Sequence, residues 1–110
     1  MKKIALTTVL FFLITAAFGQ ADQIAIVQNK NGIKLVVEGN DFIVNGMNWD
    51  YYPIGTNYTY SLWEQSDAFI KEALASEMTL LQKMGVNAIR QYTGVPARWI
   101  EYICEEYGIY

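Results

Sequence analysis

The chain has 110 residues, a formal net charge of −3 at pH 7 and no histidine. Its Lys and Arg residues are scattered, so it lacks the basic patch that nucleic-acid binding requires, and nucleic acid is not expected as a partner. A single cysteine, Cys104, and the lack of histidine exclude Ser-His and Cys-His catalytic pairs and an internal disulfide from these residues. No metal or organic cofactor is expected.

Residues 1–21 have the composition of a secretory signal peptide. A basic start precedes an apolar run over residues 4–18, and the small residues Gly19 and Ala21 follow. The run is shorter than the roughly 20 residues that a membrane span needs, which disfavours the alternative of an uncleaved anchor. We therefore predict an exported protein, secreted or periplasmic, with no stable membrane insertion after the signal is removed.

Residues 22–45 are predicted to form an N-terminal strand and a hairpin. Two β-prone runs, 33–37 and 42–44, flank a turn sequence whose glycine and Asx residues suit positive φ. The hairpin leads into residues 46–49, the first predicted strand of a second domain that covers residues 46–110.

A long aromatic loop and a helix follow that strand. Ser66 or Asp67 is suited to cap the helix, apolar residues recur on one of its faces, and Gly85 is suited to end it. The loop before the helix breaks regular structure but is rich in rings. These rings are Tyr51, Tyr52, Tyr58, Tyr60 and Trp63.

The remaining residues repeat the alternation of strand and helix. A strand is predicted over residues 87–92, a helix from Pro96, and the start of a third strand at residues 108–110. The predicted fold class is therefore α/β, as an incomplete (β/α)₈ TIM barrel that contains the first two βα units and the start of the third strand.

Three segments resemble motifs of the retaining glycoside hydrolases of clan A. Residues 39–49 (GNDFIVNGMNW) resemble the pattern G-x-x-F-x-x-x-G-x-N-(Y/W) that opens the clan's catalytic barrel. Residues 80–90 (LLQKMGVNAIR) resemble L-x-K-x-(L/M)-G-(V/I)-N-(A/T)-(I/V)-R, and residues 107–110 (YGIY) resemble the clan's step into its third strand. Family 2 and cellulase-like enzymes are similar, as are β-1,3-glucanosyltransferases, which share N-x-I-R-x-Y with residues 87–92.

The resemblance implies double displacement at a β-linked glycan by two carboxylates. In the clan these are glutamates that follow the fourth and seventh strands, so no catalytic residue can be assigned in this segment. Arg90 matches an arginine that supports the nucleophile in the clan, and its alternative role is a structural ion pair. Asn48, Trp49 and Tyr92 are expected to bind sugar hydroxyls or to stack on a sugar ring, or otherwise to pack in the interior.

The loop rings supply a further candidate surface. Tyr51, Tyr52 and Trp63 are predicted to form a sugar platform, because ring faces stack on the CH-rich faces of sugars, and packing over the strands is the alternative. The first functional hypothesis is thus the N-terminal part of a secreted glycoside hydrolase, without its catalytic glutamates and inactive alone. The second is a small secreted carbohydrate-binding or interaction module without catalysis.

Overall fold

A computed structural model of the chain describes residues 24–110. Contacts divide the chain into two units, Met1–Phe42 and Ile43–Tyr110. The predicted signal peptide, residues 1–21, lies outside the described residues. Neither helix within residues 24–110 has the combination of length and apolar character that crossing a membrane requires.

The first unit contains an antiparallel sheet in the order β1-β2-β3. Its strands are β1 (Ile24–Asn29), β2 (Gly32–Val37) and β3 (Asn40–Phe42). The predicted hairpin is confirmed, since Val37 pairs with Asn40 across a two-residue turn at Glu38 and Gly39. Both turn residues have positive φ, 49° and 80°, as a turn matched to the twist of a hairpin requires.

The second unit begins with β4 (Gly46–Asn48) and includes the longer helix, α1 (Asp67–Lys83). A short 3₁₀ helix, Leu62–Glu64, precedes α1. Ser66 caps α1 by accepting a hydrogen bond from Phe69 N at 3.3 Å. The helix ends before Gly85. The φ of Gly85 is 79°, a left-handed backbone conformation that residues other than glycine rarely adopt.

The strand β5 (Ala88–Arg90) and the helix α2 (Ala97–Tyr107) complete the described elements. β5 lies parallel to β4, with Met47 opposite Ile89 and Asn48 opposite Arg90. The backbone of Tyr110 is bonded to the same segment, since Ile89 N donates to Tyr110 O at 2.7 Å and Tyr110 N donates to Asn87 O at 3.0 Å.

Two asparagines fix the start of β4 against the turn after α1. The Asn87 side chain accepts a hydrogen bond from Asn45 N at 2.7 Å and donates to Ile43 O at 2.8 Å. The Asn45 side chain donates to Gly85 O at 2.6 Å. We call these three hydrogen bonds the Asn45–Asn87 clasp, and they hold the parallel pair in register.

The core of the second unit lies between the helices and one side of the parallel pair. Ile70, Leu74 and Met78 on α1 are fully buried. The other members of the core are Trp49, Leu62, Ala73, Leu81, Trp99, Ile103 and Ile109. The apolar face predicted for α1 is thus found.

The prediction of an incomplete (β/α)₈ TIM barrel is wrong. Residues 24–110 form a three-stranded antiparallel sheet and a separate two-stranded parallel sheet with two helices, and these elements do not form a repeated βα barrel. The third strand expected at residues 108–110 is not among the strands of this part of the chain. A local alternation of strand and helix patterns favours a parallel pair, but it does not determine how further strands associate or whether a sheet closes.

Candidate functional site

Three of the predicted site residues lie on one side of the parallel pair. Asn48 and Arg90 occupy opposite positions in the register, so their side chains leave the pair on the same side. Tyr92 continues the alternation beyond β5, and the Arg90 guanidinium carbon lies 4.8 Å from the centre of its ring. All three residues are exposed. Arg90 has no ion pair within residues 24–110, so the structural ion pair considered for it is not formed there.

Trp49 is separated from this surface. It is 7% exposed, packs in the core, and its indole Nε1 donates to Glu77 Oε2 on α1 at 3.1 Å. The alternation of side chains along the strand explains the separation, because Trp49 points to the opposite side from Asn48. Its ring is a core group, and its faces are not offered to a ligand.

The aromatic loop and the 3₁₀ helix surround a small, open pocket of about 40 Å³. We call it the aromatic pocket. All of the rings predicted as a sugar platform line it, together with polar side chains. Its lining residues are Asp50, Tyr51, Tyr52, Tyr60, Ser61, Leu62, Trp63, Gln91 and Thr93.

Ring contacts hold the walls of the aromatic pocket. Tyr51 lies 6.3 Å from Tyr60 and 6.4 Å from Phe69 on α1, and Trp63 lies 6.5 Å from the core residue Trp99, between ring centres. These separations are typical of aromatic pairs. The pocket is therefore built on the helices and is not only a property of the loop.

The chemistry of the aromatic pocket is that of neutral hydrogen bonding. Burial, followed by the proximity of Tyr51, raises the pKa of the Tyr60 hydroxyl above its ordinary value of 10.0. A phenol both donates and accepts hydrogen bonds. Asp50 is the one carboxylate among the lining residues.

Gln91 is a residue that the sequence did not single out. Its side chain follows the side of β5 that carries Ile89, and its Oε1 is buried without a hydrogen-bond partner among the described residues. Gln91 and Thr93 line the aromatic pocket and also a second, larger and mainly apolar cavity that includes Ile89, Ile103 and Ile109. An alternation pattern assigns Gln91 to a side of the strand but carries no sign that its amide lacks a partner.

The last of the loop rings, Tyr58, is 83% exposed and does not line the aromatic pocket. Within residues 24–110, no cluster of His, Cys, Asp and Glu is suited to hold a metal ion.

The chain matches no protein-family model, no curated protein and no solved structure in three comparisons with known proteins.

Proposed function

We propose that this chain binds a β-linked glycan and is the substrate-binding, N-terminal part of an exported glycoside hydrolase. The observation that carries the proposal is the aromatic pocket, in which Tyr51, Tyr52 and Trp63 lie together with polar side chains. The motif resemblance supports the assignment to an enzyme, because Arg90 matches the arginine that supports the nucleophile in such enzymes and Asn48 is expected to bind sugar hydroxyls.

The physical match between the aromatic pocket and a sugar has two parts. A β-linked pyranose has a flat face of CH groups and a rim of hydroxyls, so it stacks on a ring and forms hydrogen bonds around its edge. Tyr52, which is 43% exposed, offers the ring, and Asp50 and Thr93 are polar groups at the wall.

The exposed surface of Asn48, Arg90 and Tyr92 is a second contact region in this proposal. Both regions lie where β4 and β5 end, and the carboxyl ends of parallel strands are where ligands bind in α/β proteins. A permanently charged guanidinium stacked on Tyr92 is well suited to orient a carboxylate or a hydroxyl.

The second candidate function is a secreted carbohydrate-binding module without catalysis. The number of carboxylates in the aromatic pocket favours it. Asp50 is the one carboxylate among the lining residues, whereas retaining hydrolysis needs two carboxylates about 5 to 5.5 Å apart. Both candidates share the glycan ligand and differ only in the reaction.

Binding is tested by titrating the secreted chain with cellotetraose, laminaritetraose and mannotetraose in a calorimeter. We expect at least one glycan to bind, and Tyr52→Ala to weaken it about tenfold, which corresponds to roughly 1.4 kcal/mol for one lost stacking contact. Tyr58→Ala is the matched control, since Tyr58 belongs to the same loop but lies outside the pocket. Equal losses in both variants, or no binding of any glycan, would contradict the proposal.

The two candidates are separated by assaying aryl β-glycosides with the same protein and with the product of the whole coding region. Turnover that only the longer product shows, and that Arg90→Ala abolishes, supports the hydrolase. Binding without turnover in either protein supports the module.

A further inference from the structure

The sheet of the first unit has an edge that carries no neighbouring strand. In the order β1-β2-β3, no strand within residues 24–110 pairs with the outer edge of β1. All six residues of β1 are exposed, and their sequence, IAIVQN, contains no charged residue and no proline. The register with β2 is regular, without a bulge. Charges, prolines and bulges are the features that keep natural edge strands from pairing with other chains, so β1 is an unprotected edge.

The hairpin between β1 and β2 shows which backbone groups of β1 point away from the sheet. Its two-residue turn is flanked by the facing residues Asn29 and Gly32. The pair next to such a turn is hydrogen-bonded, and along an antiparallel strand the bonded groups alternate between the two edges. The two-residue turn between β2 and β3 gives the same alternation. The N–H and C=O groups that point outward from β1 therefore belong to Ile24, Ile26 and Gln28.

We propose that the outer edge of β1 pairs with the same edge of a second copy of this chain, which joins two three-stranded sheets into one continuous sheet. The two β1 strands run antiparallel about a twofold axis, with Ile26 opposite Ile26 of the partner subunit. Ile24 then lies opposite Gln28 of the partner subunit, and each outward N–H and C=O meets an outward group of the other strand. A shift by one residue places these groups opposite groups that already bond to β2.

The side chains of the sheet favour a second copy as the partner. Ile24 and Ile26 lie on the same face as Ile33, and these side chains are 58%, 76% and 70% exposed. Because β1 carries no charge, two copies meet without repulsion, and cross-strand pairs of β-branched side chains stabilise the junction. An interface of one pair of strands is small for a stable complex, so the dimer should dissociate on dilution.

The test is the oligomeric state of the secreted chain, measured by sedimentation velocity from low micromolar to several hundred micromolar protein. We expect a monomer that becomes a dimer as the concentration rises. Ile26→Lys should raise the dissociation constant at least about tenfold, because two like charges then face each other across the axis. Ile33→Lys is the matched control and should leave the constant within about twofold, since Ile33 is similarly exposed on the same face but lies in the central strand.

A charge-swap mixture tests the register. Ile26→Glu alone should be as monomeric as Ile26→Lys, and an equal mixture of the two variants should form a dimer, because opposite charges then face each other. Circular dichroism checks that each variant keeps its sheet.

Hydrogen exchange of the wild-type protein tests the proposal without any substitution. The amides of Ile24, Ile26 and Gln28 should gain protection as the dimer forms. A wild-type protein that stays monomeric throughout, or an Ile26→Lys variant that dimerises as tightly as the wild type, overturns the inference. Protection of these amides in the monomer also overturns it, because another segment of the chain then covers the edge.

Discussion

The hydrogen bond between Trp49 and Glu77 should be a measurable source of stability for the second unit. Trp49 is 7% exposed, its Nε1 lies 3.1 Å from Glu77 Oε2, and an indole nitrogen can only donate. Glu77→Ala leaves this donor buried without an acceptor, at a cost of about 1–3 kcal/mol. For a unit of this size each kcal/mol corresponds to roughly 4–8 °C in melting temperature.

The assay is urea unfolding followed by tryptophan fluorescence and circular dichroism. Glu77→Gln keeps an acceptor oxygen but loses the charge, so its cost should be about half that of Glu77→Ala. Glu72→Ala changes an exposed carboxylate of the same helix and should cost less than about 0.5 kcal/mol.

A double-mutant cycle with Trp49→Phe isolates the bond. In the Trp49→Phe background no indole donor remains, so Glu77→Ala should cost at least about 1 kcal/mol less than in the wild-type protein. An equal cost in both backgrounds would show that Glu77 stabilises α1 by another route, and the reasoning from the hydrogen bond would then be refuted.

Three further predictions concern the turn after α1, the clasp and the end of α2. Gly85→Ala should destabilise the protein by about 1 kcal/mol in urea unfolding because of the positive φ, whereas Gly94→Ala should be neutral or slightly stabilising, since no atom lies within 4 Å of the added Cβ and φ there is not positive. Asn87→Ala removes two side-chain bonds of the clasp and should cost roughly 1–3 kcal/mol, and hydrogen exchange should then accelerate at the amide of Asn45; an unchanged exchange rate would contradict this role. Burial, and then a hydrogen bond with Tyr102, raises the pKa of Tyr107 from 10.0 to about 12. The folded state therefore holds this proton more tightly than the unfolded state. The stability that the proton provides is complete below pH 10 and is lost as the pH rises to 12. Tyr107→Phe should remove this part of the alkaline dependence, and a wild-type stability curve that is flat between those pH values would contradict it.

Local sequence signals predicted the elements well. α1 begins after Ser66 and ends before Gly85, as the capping chemistry of these residues predicts. The turn at Glu38 and Gly39 joins the two strands of the hairpin. Met47 and Ile89 are paired in parallel strands as the strand, helix, strand pattern predicts. The arrangement beyond two strands was predicted wrongly, because periodicity reports which side of an element is buried and not how many elements share a sheet.

The candidate site was predictable only in part. Composition identified the rings of the loop, but rings alone did not show that Tyr51, Tyr52 and Trp63 line one pocket while Tyr58 stays outside it. Trp49 sits in the core because strand alternation turns it away from Asn48, a distinction that a motif match does not express. The unpaired Oε1 of Gln91 could not be predicted from the sequence, because the pairing of a buried atom depends on three-dimensional packing.

The Asn45–Asn87 clasp has a consequence for the order of assembly. Asn45 and Asn87 are 42 positions apart, so joining them closes a long loop of chain. Closing this loop lowers the conformational entropy of the chain before any hydrogen bond compensates for the loss. The turns of α1 need only neighbours, and they shorten the distance between the two asparagines as they form. Helix formation is therefore expected to precede strand pairing, and the ribbon of β4 and β5 should be among the last regions to gain protection during refolding.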